Sequence, residues 1–451
     1  MKNTRKVVFS LVALFALTAC GGNQNGPANE SIFTLINPEN TSMLTENCQK
    51  YIDDMREQEK GLGNDKYKIT DLGGEAGVNI DEASSKRNIA MEDRVYLDKG
   101  DVNGQNRSMG QIPDRSDKSM GVDLKFNVKE GFTADEYKVL VSKDQNFSDA
   151  KELVAKNNEV NVNNLFVNTQ YYWKVVAGNE ESEVGTFTTG DYPRWITARS
   201  LTGEDGGRGI YNVRDMGGYM TDSGKRVKQG LVFRGGEITT MSSGGHYNTI
   251  TPTAKRVFRE DMGMVGGVEL DLRGAGDISD GYKANGFAEN GDIEYRQIAI
   301  KSYEETFTKN GSGQNNATEA RANVAAIFEL LNNADQKPVY YHCFGGADRT
   351  GTIGFLLNGV LGVSYTDLVI DFELTSYSSI DNEHIRCHIQ GYQHSYDRWP
   401  SLINQIKTDT TGGYAYNQDL PLKKNLENFL TKACGVPETT INHIRDIMLE
   451  D

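Results

Sequence analysis

An α/β domain of mostly parallel sheet flanked by helices, preceded by a β-sandwich, is the fold that this 451-residue sequence predicts. Three observations carry the prediction. Between Lys337 and Leu361 the β-formers Val339, Tyr340 and Tyr341 pass through a glycine-containing loop into the apolar run Ile353 to Leu361, which suits a deeply buried helix. Val265 to Leu272 reads as another buried strand, and Thr318 to Leu331 has helical spacing with Thr318 as its cap. Between Val122 and Phe187, by contrast, apolar residues alternate in short runs separated by turns, the pattern of antiparallel strands in a sandwich.

From the N-terminus, Lys2, Arg5 and Lys6 precede the apolar run Val7 to Leu17, and small residues close it. Residues 1–19 therefore read as a secretory signal peptide. Leu17-Thr18-Ala19-Cys20 resembles a bacterial lipobox, in which the cysteine becomes the lipidated N-terminus. The resemblance implies a protein anchored through Cys20 to the bacterial cell envelope. Its membrane partner would be the outer membrane, with the chain facing the periplasm or the outside. Residues 20–30 read as a polar, Asn- and Gly-rich tether. No later segment is long and apolar enough to span a bilayer, and the net charge of −15 argues against nucleic acid as a partner.

Residues 31–190 form an N-terminal region. It opens with a short strand, Ile32 to Ile36, and a helix, Thr45 to Glu57, followed by a long Gly-, Asp- and Ser-rich insertion over 61–118. In the strand-rich part, Leu165-x-x-x-Thr169-x-Tyr171-x-Trp173 resembles the tyrosine corner of fibronectin type III-like domains. Tyr171 and Trp173 read as a corner hydrogen bond and core packing rather than as a ligand-stacking pair. Asp191-Tyr-Pro193-Arg is the linker to a second domain over 195–451. Cys48, Cys387 and Cys434 have no assigned pairing and read as buried.

The second domain is organised around Lys337-Pro-Val-Tyr-Tyr-His342-Cys343-Phe-Gly-Gly346-Ala347-Asp348-Arg349-Thr350-Gly351, which reads as strand, tight loop and helix. Such a loop is an anion cradle, because its backbone N–H groups and the first helical turn point at one spot where the helix dipole adds positive potential. A cysteine under that spot is favoured as thiolate, the nucleophilic form. Arg349, six residues on, can return over the loop and grip two phosphate oxygens with its planar fork.

His342-Cys343-x-x-Gly346-x-x-Arg349-Thr350 resembles the signature loop of the protein-tyrosine phosphatase superfamily, whose members hydrolyse phosphate monoesters through a cysteinyl-phosphate. Asn212-Val-Arg214-Asp215-Met-Gly217-Gly218-Tyr219, then Gly230-Leu-Val-Phe-Arg234-Gly-Gly-Glu237, then Leu270-Asp271-Leu272-Arg273 resemble in order the motifs of the bacterial tyrosine/serine phosphatase family, which includes lipid phosphatases. That family commonly has a Lys where this sequence has Ala347. The resemblance implies that Phe344, Gly345, Gly346, Ala347, Asp348 and Arg349 bind phosphate. It also implies that Asp348 protonates the leaving group, and no cofactor is required.

Other roles remain open on the sequence. Asp271, Asp277 and Asp280 are alternative acids, and Asp348 has a competing reading as a carboxylate that braces the loop. His342 would orient the loop, and Thr350 would hydrogen-bond the cysteine sulfur. Asn212 and Asp215 read chiefly as structural turn residues, with Asp215 also a candidate pocket residue, and Arg214, Arg234, Asp271 and Arg273 read as pocket residues if they converge on phosphate. His384, Cys387, His388 and His394 permit a zinc site geometrically, but they read as a polar helix near the pocket mouth. The expected partner is a phosphorylated protein or a small phosphoester. Phosphotyrosine leads, phosphoserine follows, and phosphoinositides or inositol phosphates are the alternative. A non-catalytic phosphate-binding or adhesive module is the competing class.

Overall fold

The computed structural model describes residues 31–69, 120–199, 209–238, 250–274, 287–289, 291–308, 317–375, 378 and 398–451. Residues 1–30 with Cys20, most of residues 61–118, Asp277, Asp280 and the cluster from His384 to His394 lie outside the described residues. No described helix is long and apolar enough to cross a membrane.

In the N-terminal unit, β1 (Phe33–Ile36), β2 (Val122–Val128) and β5 (Glu159–Val162) make one antiparallel sheet. The other joins β3 (Lys138–Ser142), β4 (Lys151–Val154), β6 (Gln170–Ala177), β7 (Glu180–Glu181) and β8 (Gly185–Thr188). Alternation decides which side of each strand is apolar. Val122, Leu124 and Phe126 of β2 and Tyr171, Trp173, Val175 and Ala177 of β6 face one shared core. The Tyr171 hydroxyl accepts the N–H of Phe166 at 2.9 Å, and the ring stacks on Phe187.

That end of the unit is fastened to the second domain by a buried arginine. Arg194 donates to the carbonyls of Asn164 (2.7 Å) and Leu165 (3.1 Å), and to Asp215 at 2.7 Å. The linker is thus a bracket rather than a tether. Helix α1 (Glu46–Glu59) also crosses over. Cys48, Tyr51, Ile52 and Met55 bury in the core of the second domain, not in that of the strands on either side. Residues 60–67 continue it as a 3-10 turn, so the segment after residue 60 begins ordered.

The second domain is built on a five-stranded sheet of order β9 (Arg214–Asp215), β10 (Val232–Gly235), β13 (Val339–His342), β11 (Val268–Asp271) and β12 (Glu294–Gln297). Only the β9–β10 pairing is antiparallel. The central three strands are fully buried, as an α/β sheet covered on both faces requires. Around it pack α2 (Ala317–Leu331), α3 (Asp348–Leu361), α4 (Tyr365–Leu374), α5 (Arg398–Thr408), α6 (Leu422–Ala433) and α7 (Glu438–Met448). Thr318, expected as a cap, lies inside the first turn of α2, because the helix already runs from Ala317. In register, Gly235 and Asp271 both stand beside His342, so three strand ends open on one crevice.

Candidate active site

Strand β13 delivers Cys343 to the middle of that crevice, and α3 begins five residues later at Asp348, with its N-terminus aimed back at the loop. The Cys343 side chain is almost covered. Gly346 has φ +68°, and a Cβ there would lie 2.3 Å from the carbonyl carbon and oxygen of Gly235. Only glycine lets the loop pass so close to β10.

The loop carbonyls are all engaged on one side. The N–H of Glu237 donates to the Phe344 carbonyl at 2.8 Å, and Asn212 Nδ2 donates to those of Gly345 (3.0 Å) and Gly346 (3.1 Å). Arg234 Nη2 also donates to the Gly346 carbonyl, at 2.8 Å. Because each peptide is planar and trans, these bonds turn the N–H groups of Gly345, Gly346 and Ala347 to the opposite side. The donors and the α3 terminus then make a preorganised oxyanion cradle beside Cys343. Asp348 and Arg349, the first two residues of α3, are partly exposed at its mouth. Thr350 is fully buried, and its hydroxyl has no hydrogen-bond partner among the described residues.

A match to the tyrosine phosphatase family covers residues 207–450, more than half of the chain. The chain belongs to the tyrosine phosphatase family. No curated protein matches it significantly.

In this phosphatase the buried charges around the loop have separate jobs. Arg214 and Arg234, expected as pocket residues, are instead fully buried behind the loop and bonded to Asp371 of α4. Asp215 is spent on Arg194 and on the N–H groups of Gly217 and Gly230. Asp271 and Arg273 do stand at the crevice end of β11. Arg273 is bonded to Asp271 (2.7 Å) and pairs with Glu237. Burial opposes the Arg273 charge, but Asp271, Glu237 and the neighbouring Cys343 raise its pKa on balance. A cation is therefore fixed close to Cys343. Asp271 is itself bound to Arg273 and to Tyr295, and its pKa is lowered: burial opposes ionisation, while His342 and Arg273 outweigh it. A carboxyl so held is a poor proton donor at neutral pH.

His342 is wholly buried, with Nε2 3.0 Å from Glu269 and Nδ1 3.1 Å from the carbonyl of Cys343. A carboxylate and a carbonyl only accept, so the ring must donate from both nitrogens, which makes it an imidazolium. Its pKa is accordingly raised from 6.5: burial alone would lower it, but Asp271 and Glu269 outweigh burial. The stability this pairing contributes is present below the unfolded pKa of about 6.5 and is lost as pH rises through the higher folded value. Glu269→Gln is expected to shrink that alkaline loss. Urea unfolding across a pH series measures it, and a variant with the wild-type pH slope would count against the assignment.

Sequence reasoning missed Glu269, Glu237 and Asp371. Glu269 and Asp371 carry a signal, an acid flanked by apolar residues in Val268-Glu269-Leu270 and Ile370-Asp371-Phe372, whereas Glu237 follows two glycines and carries none of this kind. Buried acids need partners, and the partners here are the loop's supports. Cys434 is a different case: burial pushes its thiol up to about 12, so it is chemically quiet at neutral pH.

Proposed function

We propose that this phosphatase is a cysteine-dependent phosphomonoesterase acting on phosphotyrosine-type esters. The observation that carries the reading is the loop whose carbonyls are held from behind, so that its N–H groups surround the site next to Cys343. Cys343 Sγ, as thiolate, attacks phosphorus, and the P–O bond to the leaving group breaks. Asp348 gives that oxygen its proton. Arg349 and the loop amides hold the three equatorial oxygens. Water then attacks phosphorus, its proton passes to Asp348, and the S–P bond breaks to release inorganic phosphate. Thr350, whose buried hydroxyl is uncommitted, is suited to donate to the departing sulfur. A colorimetric aryl-phosphate assay on the chain from residue 25 tests the activity. Phosphate binding without turnover would favour the non-catalytic module.

The substrate class follows from charge. A polyphosphorylated inositol needs cations beyond Arg349 for the phosphates that are not cleaved. Ala347 stands at the family's lysine position and is itself buried, Arg214 and Arg234 lie behind the loop, and Arg273 is neutralised by Asp271 and Glu237. Each missing charge-assisted contact forgoes about 1.5–3 kcal/mol, or roughly ten- to a hundredfold in affinity. Phosphotyrosine peptides are therefore expected to exceed phosphoserine peptides, phosphoinositides and inositol phosphates in kcat/KM. A panel at equal concentration measures this, and preference for any inositol substrate would contradict it.

We read the N-terminal unit as fibronectin type III-like, supported by its two-sheet strand order and by the hydrogen bond from the Phe166 N–H to the Tyr171 hydroxyl. Envelope anchoring through Cys20 rests on the lipobox-like run alone.

A further inference from the structure

The hydrogen bonds that hold the loop from behind converge on one carboxylate. Asp371 Oδ1 accepts from Arg214 Nε at 3.1 Å, its Oδ2 accepts from Arg234 Nη1, and its carbonyl accepts from Arg214 Nη2 at 3.0 Å. Each arginine passes the constraint on. Arg234 holds the Gly346 carbonyl directly, and Arg214 donates to Asn212 Oδ1, which turns Asn212 Nδ2 toward the carbonyls of Gly345 and Gly346. Without the carboxylate, two guanidinium groups would be left adjacent in a dry interior, where like charges repel strongly.

Helix α4, which carries Asp371, is in turn held by α1. Tyr51 donates to Glu373 at 2.6 Å, Arg56 to Asp367 at 3.1 Å, and Ser364, the N-cap of α4, to Glu59 at 2.7 Å. These contacts grip α4 on both sides of Asp371. Helix α1 lies outside the family-matched residues 207–450.

We propose that Asp371 is a positioning residue for the phosphate-binding loop, acting through Arg214, Arg234 and Asn212, and that α1 of the N-terminal region holds it in place. The proposal rests on the phosphatase reading only for what the loop binds. It makes the N-terminal region part of the catalytic machinery, not an appended module. Misaligned amides would weaken the hold on a five-coordinate phosphorus more than on the ground-state ester, so kcat should fall more than KM rises.

The test uses the full chain with Asp371→Asn, Asn212→Asp and Tyr51→Phe. Asn212→Asp removes the donor to the loop but keeps size, a tolerated left-handed φ of +59° and the partner for Arg214. Two quantities are read: the Kd for inorganic tungstate by calorimetry, and kcat and KM for an aryl phosphate. Asp371→Asn and Asn212→Asp are expected to lower kcat at least about tenfold, with tungstate affinity weakened and KM raised only about threefold, and Tyr51→Phe to lower kcat about threefold. Should Asp371→Asn not fold, Asn212→Asp decides the matter alone. Tungstate affinity and kcat within about twofold of wild type in the folded variants would overturn the proposal. A wild type that binds tungstate without hydrolysing the ester would sink the phosphatase reading, while weaker tungstate binding in the variants would still support the positioning role.

Discussion

Cys343→Ser is expected to lower turnover on the order of 10⁴-fold or more while leaving phosphate-ester affinity nearly unchanged. The serine hydroxyl fits the volume left by the thiol, but it is not ionised near neutral pH and needs a base to activate it. His342 cannot serve, because both of its nitrogens are committed as donors, to Glu269 and to the Cys343 carbonyl. The proposed phosphate cradle consists of the backbone of Gly345, Gly346 and Ala347 together with Arg349, none of which the substitution replaces. Steady-state kinetics together with calorimetric binding of a slowly hydrolysed ester check the split. Equal losses of binding and turnover would mean that Cys343 shapes the cradle rather than attacking.

Gly346→Ala is expected to be the most damaging small substitution in the loop. A left-handed φ of +68° costs an alanine about 1 kcal/mol, and its Cβ would fall 2.3 Å from two backbone atoms of Gly235 and 2.7 Å from the N of Gly236. Backbone cannot swing aside as a flexible side chain can, so either the loop lifts off β10 or the sheet end moves. A total cost of about 3–5 kcal/mol follows, with kcat reduced on the order of a hundredfold as the amides leave alignment. Gly224 separates the two contributions: its φ is +78° but nothing lies within 4 Å of its added Cβ. Gly224→Ala should therefore cost only about 1 kcal/mol in denaturant unfolding and leave kcat unchanged. Similar losses in the two variants would show that backbone conformation, not the approach of Gly346 to Gly235, sets the effect.

What was legible in the sequence was what is local. The residues from His342 to Thr350 lie in one short run, so their types and spacing announced the strand, the tight loop and the helix before any tertiary contact was known. The alternation from Val122 to Phe187 and the long apolar run after Arg349 also behaved as their periods require. Arg214 and Arg234 were misread, because a buried arginine is placed by its carboxylate, and Asp371 lies 157 and 137 residues away along the chain. Helix α1 was recognised as a helix but grouped with the N-terminal region. Its apolar face fits the second domain equally well by pattern, and tertiary contacts such as the bond from Tyr51 to Glu373, 322 residues apart, show which surface it chose.

The central claim is that Cys343 itself carries the phosphoryl group between substrate and water. Mixing the enzyme with an equimolar aryl phosphate, quenching in acid within milliseconds and locating the label by peptide mass spectrometry tests this directly. The account predicts a phosphoryl group on Cys343 that decays as inorganic phosphate appears, and none in Cys343→Ser. Hydrolysis with the label on another side chain, or full turnover by the serine variant, would contradict it.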